Sequence, residues 1–269
     1  MLNIRRVLLP INDMKVALIQ YDIAWLDAEK NRHYLNEVFK NLDSDIQLIL
    51  LPEMFDTGFC TAPHVGMTQT SAETIQWLQL KAVENNACIG GSIIVPEEGR
   101  FYNRFFWAQP DGQLKTYDKR HLFSIGNEHL NYAPGKQKSI MSFSGFRFLP
   151  QICYDLRFPV FSRCRNDYDV LIYVANWPAP RADVWCKLLM ARAIENQCYV
   201  LAVNRTGIDG NGIVHQGNSM IIDFKGNVMA EAQSENNEVV MSEIFIENLS
   251  DFRTKFPSWK DSDSFSLDL

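Results

Sequence analysis

IQLILLPE (residues 46–53) is an apolar run that ends in a proline and a glutamate. A run without alternating polar residues is typical of a strand buried on both faces of a sheet. A second run of this kind is VLIYVA (residues 170–175). Around them, strand-like segments alternate with helical patterns, such as those of residues 28–42 and 183–196. This order predicts an α/β fold in which helices cover mixed sheets.

The same survey gives the domain organisation. No linker rich in Ser, Gly or Pro, no repeat and no low-complexity segment divides the chain, which favours one domain over residues 14–250. Residues 1–13 precede the first strand-like segment, so we expect an N-terminal extension there. Residues 251–269 are polar and aromatic, so we expect a C-terminal arm that packs on the domain or on a partner subunit.

The charge and hydropathy of the chain exclude several classes of function. The formal net charge is −6 and the pI is near 5.4, so general binding to nucleic acid or to an anionic membrane is not expected. No stretch approaches 18 apolar residues, and the apolar residues 7–11 are too short for a signal sequence. These patterns predict a protein that neither spans nor coats a membrane.

The six cysteines, at positions 60, 88, 153, 164, 186 and 198, indicate the compartment. No two form a CxxC pair, which argues against a zinc site or a thioredoxin-like site. The spacing also lacks the density of a secreted disulfide scaffold. A reduced, cytoplasmic protein with free thiols is the simpler interpretation.

Three ionisable residues each follow a predicted strand. Glu53 follows the run at 46–51, Lys119 follows a hairpin strand that ends at Tyr117, and Cys153 closes the strand of residues 146–152. In α/β sheets, side chains beyond the carboxyl ends of strands converge on the ligand. A cysteine between a strand and a helix also meets the positive end of the helix dipole, which predicts a lowered thiol pKa.

These three residue types suit acyl transfer. A carboxylate can take the thiol proton and later activate water, while an ammonium stabilises the oxyanion. The backbone N–H of Tyr154, directly after the cysteine, is expected to donate the second oxyanion hydrogen bond. Taken singly, each residue also has an ordinary explanation, because cysteines are usually buried and glutamates and lysines usually lie at the surface.

The segments LLPEMFDTGF, YDKRHLF and CYDLRFP resemble, in order and spacing, the three signature segments of the nitrilase (carbon–nitrogen hydrolase) superfamily. Lys119 follows Glu53 by 66 residues, and Cys153 follows Lys119 by 34. The resemblance implies a four-layer α-β-β-α sandwich with Glu53 as general base, Lys119 as oxyanion stabiliser and Cys153 as nucleophile. It also implies a homo-oligomer, a dimer or higher, and a reaction that requires no metal or cofactor.

Glu128 lies where the family often has a second glutamate, so the resemblance gives it the role of orienting Lys119 or the attacking water. An exposed loop acid is the alternative. His121 and Asp155 are expected to be structural supports. The sequence departs from the family at Val160, where an acidic residue often follows the cysteine motif; this concerns the subgroup more than the mechanism.

Within the superfamily, ICYDLRFP, YVANWPAPR and ARAIENQ look most like the ω-amidases, which hydrolyse the terminal amide of 2-oxoglutaramate or 2-oxosuccinamate. Such a substrate has a carboxylate that Arg181 would pair with. Arg157 competes for this role but is expected to form a structural ion pair, and Arg181 could instead be a solvated loop residue. Phe59 and Trp177 are candidate pocket walls or ordinary core aromatics.

Three alternatives stay open at this point. The chain could be another amidase of the superfamily, acting on deaminated glutathione or an N-carbamoyl compound. It could be a nitrilase that forms an acid from a simple nitrile. It could also be a catalytically inactive scaffold that has kept the fold.

Overall fold

A computed structural model describes residues 13–64 and 66–267 of the chain. The strands of that part are β1 Asp13–Gln20, β2 Leu48–Leu50, β3 Cys88–Glu97, β4 Arg100–Ala108, β5 Leu114–Asp118, β6 Met141–Phe143, β7 Phe146–Ile152, β8 Val170–Ala175, β9 Tyr199–Asn204, β10 Thr206–Ile208, β11 Val214–Gln216, β12 Met220–Ile222, β13 Val228–Glu231 and β14 Glu238–Phe245. The α-helices are α1 Ala28–Lys40, α2 Met67–Glu84, α3 Glu128–Asn131, α4 Pro159–Ser162, α5 Ala182–Asn196 and α6 Ile246–Lys255.

Within the described residues, twelve of these strands form two six-stranded mixed sheets. The first has the order β14-β1-β2-β3-β4-β5 and the second the order β13-β12-β9-β8-β7-β6. In each sheet the central strands pair in parallel, β1-β2-β3 in one and β7-β8-β9 in the other, and the outer strands pair antiparallel. β10 and β11 form a separate hairpin.

The two sheets pack face to face, because the side chains of each strand alternate between its two faces. On β1, Val16 and Leu18 belong to the core between the sheets, while Ala17 and Ile19 belong to a second core on the outer face. Trp107 of the first sheet meets Phe148 of the second, with ring centroids 4.9 Å apart. The central core is therefore the contact between the sheets.

Helices cover the two outer faces. Leu35 of α1 and Leu78 of α2 are buried against the first sheet. Trp185 and Leu189 of α5 are buried against the second sheet. The expected four-layer α-β-β-α sandwich is confirmed.

Residues 1–12 lie outside the described residues, and with them almost all of the expected N-terminal extension. At the other end, α6 runs across residue 250, where the sequence placed the start of an arm. Arg253 of α6 donates to Asp169 and to the carbonyl of Tyr168. Further along, Arg165 donates to the carbonyl of Asp263, so this segment contacts the domain of its own chain. Among the described helices, none is both long and apolar enough to cross a bilayer.

Candidate active site

Cys153 lies at the carboxyl end of β7, at the first residue of a short 3₁₀ helix, Cys153–Arg157. Its φ is 45°, a left-handed conformation that side-chain-bearing residues adopt rarely. The buried carboxylate of Asp155 stabilises this corner by accepting from the Ile152 N–H at 2.9 Å and from the Tyr117 hydroxyl at 2.8 Å. The corner therefore presents the thiol beyond the sheet at the cost of local backbone strain.

The contacts of Asp155 and His121 suit the supporting role expected of them. The Asp155 carboxylate also accepts from the His121 N–H at 2.9 Å, and the imidazole Nδ1 lies 2.8 Å from the same oxygen. The imidazole stacks on Phe158 with a centroid separation of 4.0 Å. These contacts fix the segment after Lys119 against the turn that follows Cys153.

Glu53 follows β2 in the first sheet and is fully buried. Its Oε1 accepts from the Lys119 ammonium at 2.8 Å and from the Asn103 amide at 2.8 Å. Its Oε2 accepts from the backbone N–H of Asn176, which follows β8 in the second sheet, at 2.9 Å. The Cys153 thiol lies beside the same carboxylate, whose charge raises the thiol pKa. Groups from both sheets thus hold one carboxylate.

Lys119 is buried between two carboxylates, with 1% of its side chain exposed. Its Nζ lies 2.8 Å from Glu53 Oε1 and 3.0 Å from Glu128 Oε2. Glu128 is also fully buried, and its Oε2 accepts from the Phe123 N–H at 2.6 Å. The ring of Phe59 lies on another side of the ammonium, 5.1 Å from Nζ to the centroid. Glu128 is therefore not an exposed loop acid.

The charged side chains of the site shift one another's pKa values. Burial alone would lower the pKa of Lys119, but the carboxylates of Glu128 and Glu53 raise it above its usual range, so the ammonium stays charged. Burial raises the pKa of Glu128; Lys119 opposes this and Glu53 adds to it. The ammonium offsets the mutual repulsion of the two carboxylates.

The expectation of a lowered thiol pKa at Cys153 is wrong. Burial raises the pKa of the thiol, and the Glu53 charge raises it further, against a lowering effect of Lys119. The helix dipole does not reverse this, because only a five-residue 3₁₀ helix follows the cysteine. In the resting site the proton therefore lies on sulfur, beside a carboxylate that can accept it.

A cavity of about 240 Å³ opens above the thiol, and it brings together the predicted pocket residues. Its lining includes Glu53, Lys119, Cys153, Phe59, Tyr154, Trp177 and Arg181. Trp177 is buried and donates its indole N–H to the Arg181 carbonyl at 2.8 Å. The Arg181 guanidinium lies over Phe123, 5.6 Å from the ring centroid.

The structural ion pair expected for Arg157 is not observed in residues 13–64 and 66–267. Arg157 lines the same cavity, with its guanidinium 5.0 Å from the centroid of the Trp177 ring, and makes no salt bridge with the described residues. The expected structural ion pair is therefore not formed among those residues. Two guanidinium groups, those of Arg157 and Arg181, face one small cavity.

Sequence reasoning missed three polar residues of the site: Asn103, Ser92 and Asn176. Asn103 could have been recognised from the sequence. It precedes Phe105 and Trp107 by two and four residues on β4, so its side chain lies on the same face of the strand, the one that faces the central core. A polar residue at a core-facing position needs a buried partner. Asn176 had no such signal, because it contacts Glu53 from the other sheet.

The hairpin β10–β11 supplies a further wall that the sequence did not indicate. Asp209, Asn211, Ile213 and His215 line the cavity. The buried His215 lies 3.4 Å from Asp209, and burial lowers the pKa of the imidazole. This wall is therefore polar but carries a neutral histidine near neutral pH.

No group of three or more His, Cys, Asp or Glu side chains in residues 13–64 and 66–267 is arranged to hold a metal ion. A larger groove of about 470 Å³ lies against α6, but its lining contains neither a cysteine nor a glutamate. The chemistry of the side chains thus identifies the smaller cavity as the candidate active site.

Comparisons with known proteins give the same assignment. A family model described as carbon–nitrogen hydrolase matches residues 15–254. The chain is 43% identical over 258 residues to the omega-amidase YafV of Yersinia enterocolitica, covering 96% of this chain and 100% of that protein. It is 32% identical over 251 residues to the 2-oxoglutaramate amidase of Bacillus subtilis strain 168, covering 91% and 96%.

Among solved structures, the fold matches that of XC1258 from Xanthomonas campestris, described as a CN-hydrolase superfamily protein with an arsenic adduct in its active site. The TM-score is 0.89 at 41% sequence identity, over 95% of this chain and 99% of that one.

Proposed function

The chain belongs to the carbon–nitrogen hydrolase family, and on that basis we propose that it is an ω-amidase, releasing ammonia from the terminal amide of 2-oxoglutaramate or 2-oxosuccinamate. The observation that carries the proposal is the cavity that joins the Glu53–Lys119–Cys153 cluster to two guanidinium groups without a salt bridge to the described residues. One end suits amide chemistry and the other suits a carboxylate.

The first half-reaction forms a thioester. The Cys153 proton moves to Glu53 Oε2 as sulfur attacks the amide carbon, and the carbonyl oxygen becomes an oxyanion between Lys119 Nζ and the Tyr154 N–H. The intermediate collapses with cleavage of the C–N bond, and the leaving nitrogen takes the proton from Glu53. Ammonia departs and the acyl group stays on sulfur. The proximity of the Glu53 carboxylate, whose charge raises the thiol pKa, supports this direct proton transfer.

The second half-reaction hydrolyses the thioester. Glu53 takes a proton from water, the resulting hydroxide attacks the carbonyl carbon, and the same donors hold the oxyanion. The C–S bond breaks, and sulfur takes back the proton from Glu53. Glu128 keeps Lys119 oriented through its 3.0 Å contact while Glu53 changes its charge. The products are a 2-oxo dicarboxylate and ammonia.

The substrate carboxylate pairs with Arg181, and Arg157 contributes a second positive charge. Both guanidinium groups are backed by aromatic rings, those of Phe123 and Trp177, which limit their freedom before the substrate arrives. A cavity of about 240 Å³ lies below the range of roughly 300–1,000 Å³ typical of drug-sized ligands. This size favours a small 2-oxo amide over deaminated glutathione.

We further propose a cytoplasmic homo-oligomer, a dimer or higher, with the catalytic domain over residues 14–250 and the following segment as an arm. The six cysteines are unpaired, which suits a reducing compartment. Phe256, at the end of α6, has 60% of its surface exposed, which makes the arm a candidate contact between subunits.

A substrate panel tests the activity. Purified protein is assayed for ammonia release from 2-oxoglutaramate, 2-oxosuccinamate, deaminated glutathione and an N-carbamoyl amino acid, and for acid formation from a simple nitrile. We expect the two 2-oxo amides to have kcat/KM values at least about 100-fold above that of the nitrile, since a site built for a charged group rejects a ligand that lacks it. Deaminated glutathione and the N-carbamoyl amino acid also carry carboxylates; we expect lower kcat/KM values for both, because the former exceeds the small cavity and the latter does not present a terminal 2-oxo amide.

Two variants serve as controls in the same panel. Cys153→Ala should remove turnover of every substrate, whereas Arg181→Leu should raise the KM for 2-oxoglutaramate about 10-fold or more with a smaller effect on kcat. Full ammonia release by Cys153→Ala, or preferred turnover of deaminated glutathione, would contradict the proposal.

A further inference from the structure

Two buried polar side chains, those of Ser92 on β3 and Asn103 on β4, lie behind the Glu53 carboxylate and have no part in the steps above. Both are fully buried and face the core between the sheets. A buried hydroxyl and a buried amide cost free energy unless their hydrogen bonds are satisfied, so their partners show what they do.

The hydrogen bonds run in one direction. The Met54 N–H donates to Ser92 Oγ at 2.9 Å, and the Ser92 hydroxyl donates to Asn103 Oδ1 at 2.8 Å. The Asn103 amide then donates to Glu53 Oε1 at 2.8 Å and to Glu128 Oε1 at 3.2 Å. Since ionised carboxylates can only accept, the NH₂ end of the amide faces Glu53 and Glu128 and its Oδ1 faces Ser92, so the Ser92 hydrogen points to Asn103.

The amide gives each carboxylate a donor without adding a charge. Lys119 is the positively charged partner of Glu53 and Glu128, so the cluster carries two negative charges and one positive charge. A lysine in place of Asn103 would neutralise the cluster and weaken Glu53 as a base. A neutral side chain with two N–H groups orients both anions and leaves the net charge negative.

The two carboxylate oxygens of Glu53 accept from different donors. Oε1 accepts from Lys119 and Asn103, while Oε2 accepts from the Asn176 N–H. Among the described residues, Oε1 thus has two N–H donors and Oε2 has one, so Oε2 keeps a lone pair that can accept a proton.

We propose that Asn103, oriented by Ser92, is a positioning residue that occupies Glu53 Oε1 and thereby directs the Cys153 proton to Oε2. The proposal rests on the proposed function, in which Glu53 is the base. It predicts that loss of the amide alters proton transfer and not only folding.

Asn103→Leu, which keeps the approximate volume but removes both donors, is the main test. We expect kcat for 2-oxoglutaramate to fall about 100-fold, as for other lost active-site donors, with KM changed less than about threefold. The ionisable groups facing Glu53 are Lys119, Glu128, Cys153 and, further away, Tyr132. With fewer donors for its two carboxylates, the cluster takes up a proton at higher pH, so the acidic limb of kcat/KM should move upward by about one pH unit.

Asn196→Leu is the matched control, since Asn196 is equally buried but bonds to Cys164 and Arg192 on the far side of the second sheet. It should lower stability and leave the pH profile unmoved. Ser92→Ala should give a smaller fall in kcat, about 10-fold, because the amide remains but its Oδ1 loses the hydrogen bond from Ser92 that helps to hold it in place. If Asn103→Leu does not fold, Ser92→Ala carries the test through the same pH profile.

An unmoved pH profile in Asn103→Leu or Ser92→Ala, as in the control, would overturn the proposal and leave Asn103 a structural residue. Alkylation of Cys153 by iodoacetamide, followed against pH, separates this from failure of the substrate assignment. It reports the Cys153–Glu53 proton equilibrium without any substrate. If the wild-type protein does not hydrolyse 2-oxoglutaramate, the substrate proposal is wrong. A shift in the pH dependence of Cys153 alkylation in Asn103→Leu would still support the role of Asn103.

Discussion

At the scale of single residues, the resting state of Cys153 decides how the site works. A thiolate formed in advance would be repelled by the neighbouring Glu53 carboxylate. The structure instead has a thiol whose pKa is raised by burial and by that carboxylate. The nucleophile is therefore formed only when the substrate carbonyl is present to accept the electron pair.

This state predicts the pH dependence of alkylation. Because the folded pKa of Cys153 lies above the usual 9.0, the thiolate fraction at pH 7 is small and grows as pH rises. The rate of carboxamidomethylation should therefore increase from pH 7 to pH 9 without reaching a plateau, as followed by mass spectrometry of the peptide containing Cys153. Free glutathione, titrated in parallel, calibrates the reagent. A plateau already reached at pH 7 would show an activated thiolate and contradict this assignment.

At the scale of elements, the loop that follows β2 is tied to the helices through Asp56. The Asp56 carbonyl accepts from the Asn31 amide of α1 at 2.7 Å, and its carboxylate accepts from the Thr74 hydroxyl of α2 at 2.9 Å. One carboxylate oxygen, Oδ1, has no hydrogen-bond partner among the described residues. Burial raises the pKa of this side chain from 3.8 to about 6.

Asp56 should therefore destabilise the fold as pH rises. Between pH 4 and 6 the folded state keeps the proton that the unfolded state has lost, so the free energy of unfolding falls with increasing pH. The raised pKa corresponds to about 3 kcal/mol at neutral pH, as an order of magnitude. Urea unfolding of the wild type and Asp56→Asn at pH 5 and pH 7.5 should show a smaller pH-dependent loss of stability in the variant.

The control for this comparison is Asp251→Asn, on the exposed face of α6. It should reproduce the wild-type pH dependence. If Asp56→Asn also reproduces it, the buried carboxylate does not titrate in this range and the assignment fails.

The elements also show how far sequence reasoning reaches. The apolar run of residues 170–175 coincides with β8, and the hairpin strand expected to end at Tyr117 ends one residue later, because burial leaves a strong pattern. The run of residues 46–51 forms a shorter strand, Leu48–Leu50. From its sequence, Ser71 before the helical pattern of residues 74–80 is a plausible N-cap, but α2 begins at Met67 and the Ser71 hydroxyl donates to the Met67 and Ile94 carbonyls. Strands of three residues, such as β6 and β10, are too short for any periodicity to appear.

For the site, the ionisable residues were predictable because each follows a strand and belongs to a motif. The thiol pKa was not, since it depends on Glu53 and Lys119 of the other sheet. The environment of Arg157 was not, since it depends on Trp177, which follows another strand of the same sheet. Asn103 could have been found from its core-facing parity on β4.

At the scale of the whole molecule, the site exists only where the two sheets meet. Glu53, Asn103 and Lys119 come from the first sheet, and Cys153 and Asn176 from the second. The distances between them depend on the core that joins the sheets. Packing between the sheets should therefore affect catalysis more than packing of equal energy on an outer face.

A pair of truncations separates these effects. Phe148, on the strand that leads to Cys153, packs on Trp107 between the sheets, whereas Leu189 packs between α5 and the outer face of the second sheet. Phe148→Ala should cost about 3–5 kcal/mol and Leu189→Ala about 2–5 kcal/mol in the free energy of unfolding, measured by urea denaturation. A displacement of the reacting groups by about 1 Å can cost on the order of 100-fold in rate. We therefore expect kcat of the folded Phe148→Ala protein to fall at least about 10-fold, and that of Leu189→Ala to stay within about twofold of the wild type. Equal kcat values in the two variants would mean that the cluster keeps its geometry without the inter-sheet core, and that Glu53, Lys119 and Cys153 are aligned by their own hydrogen bonds.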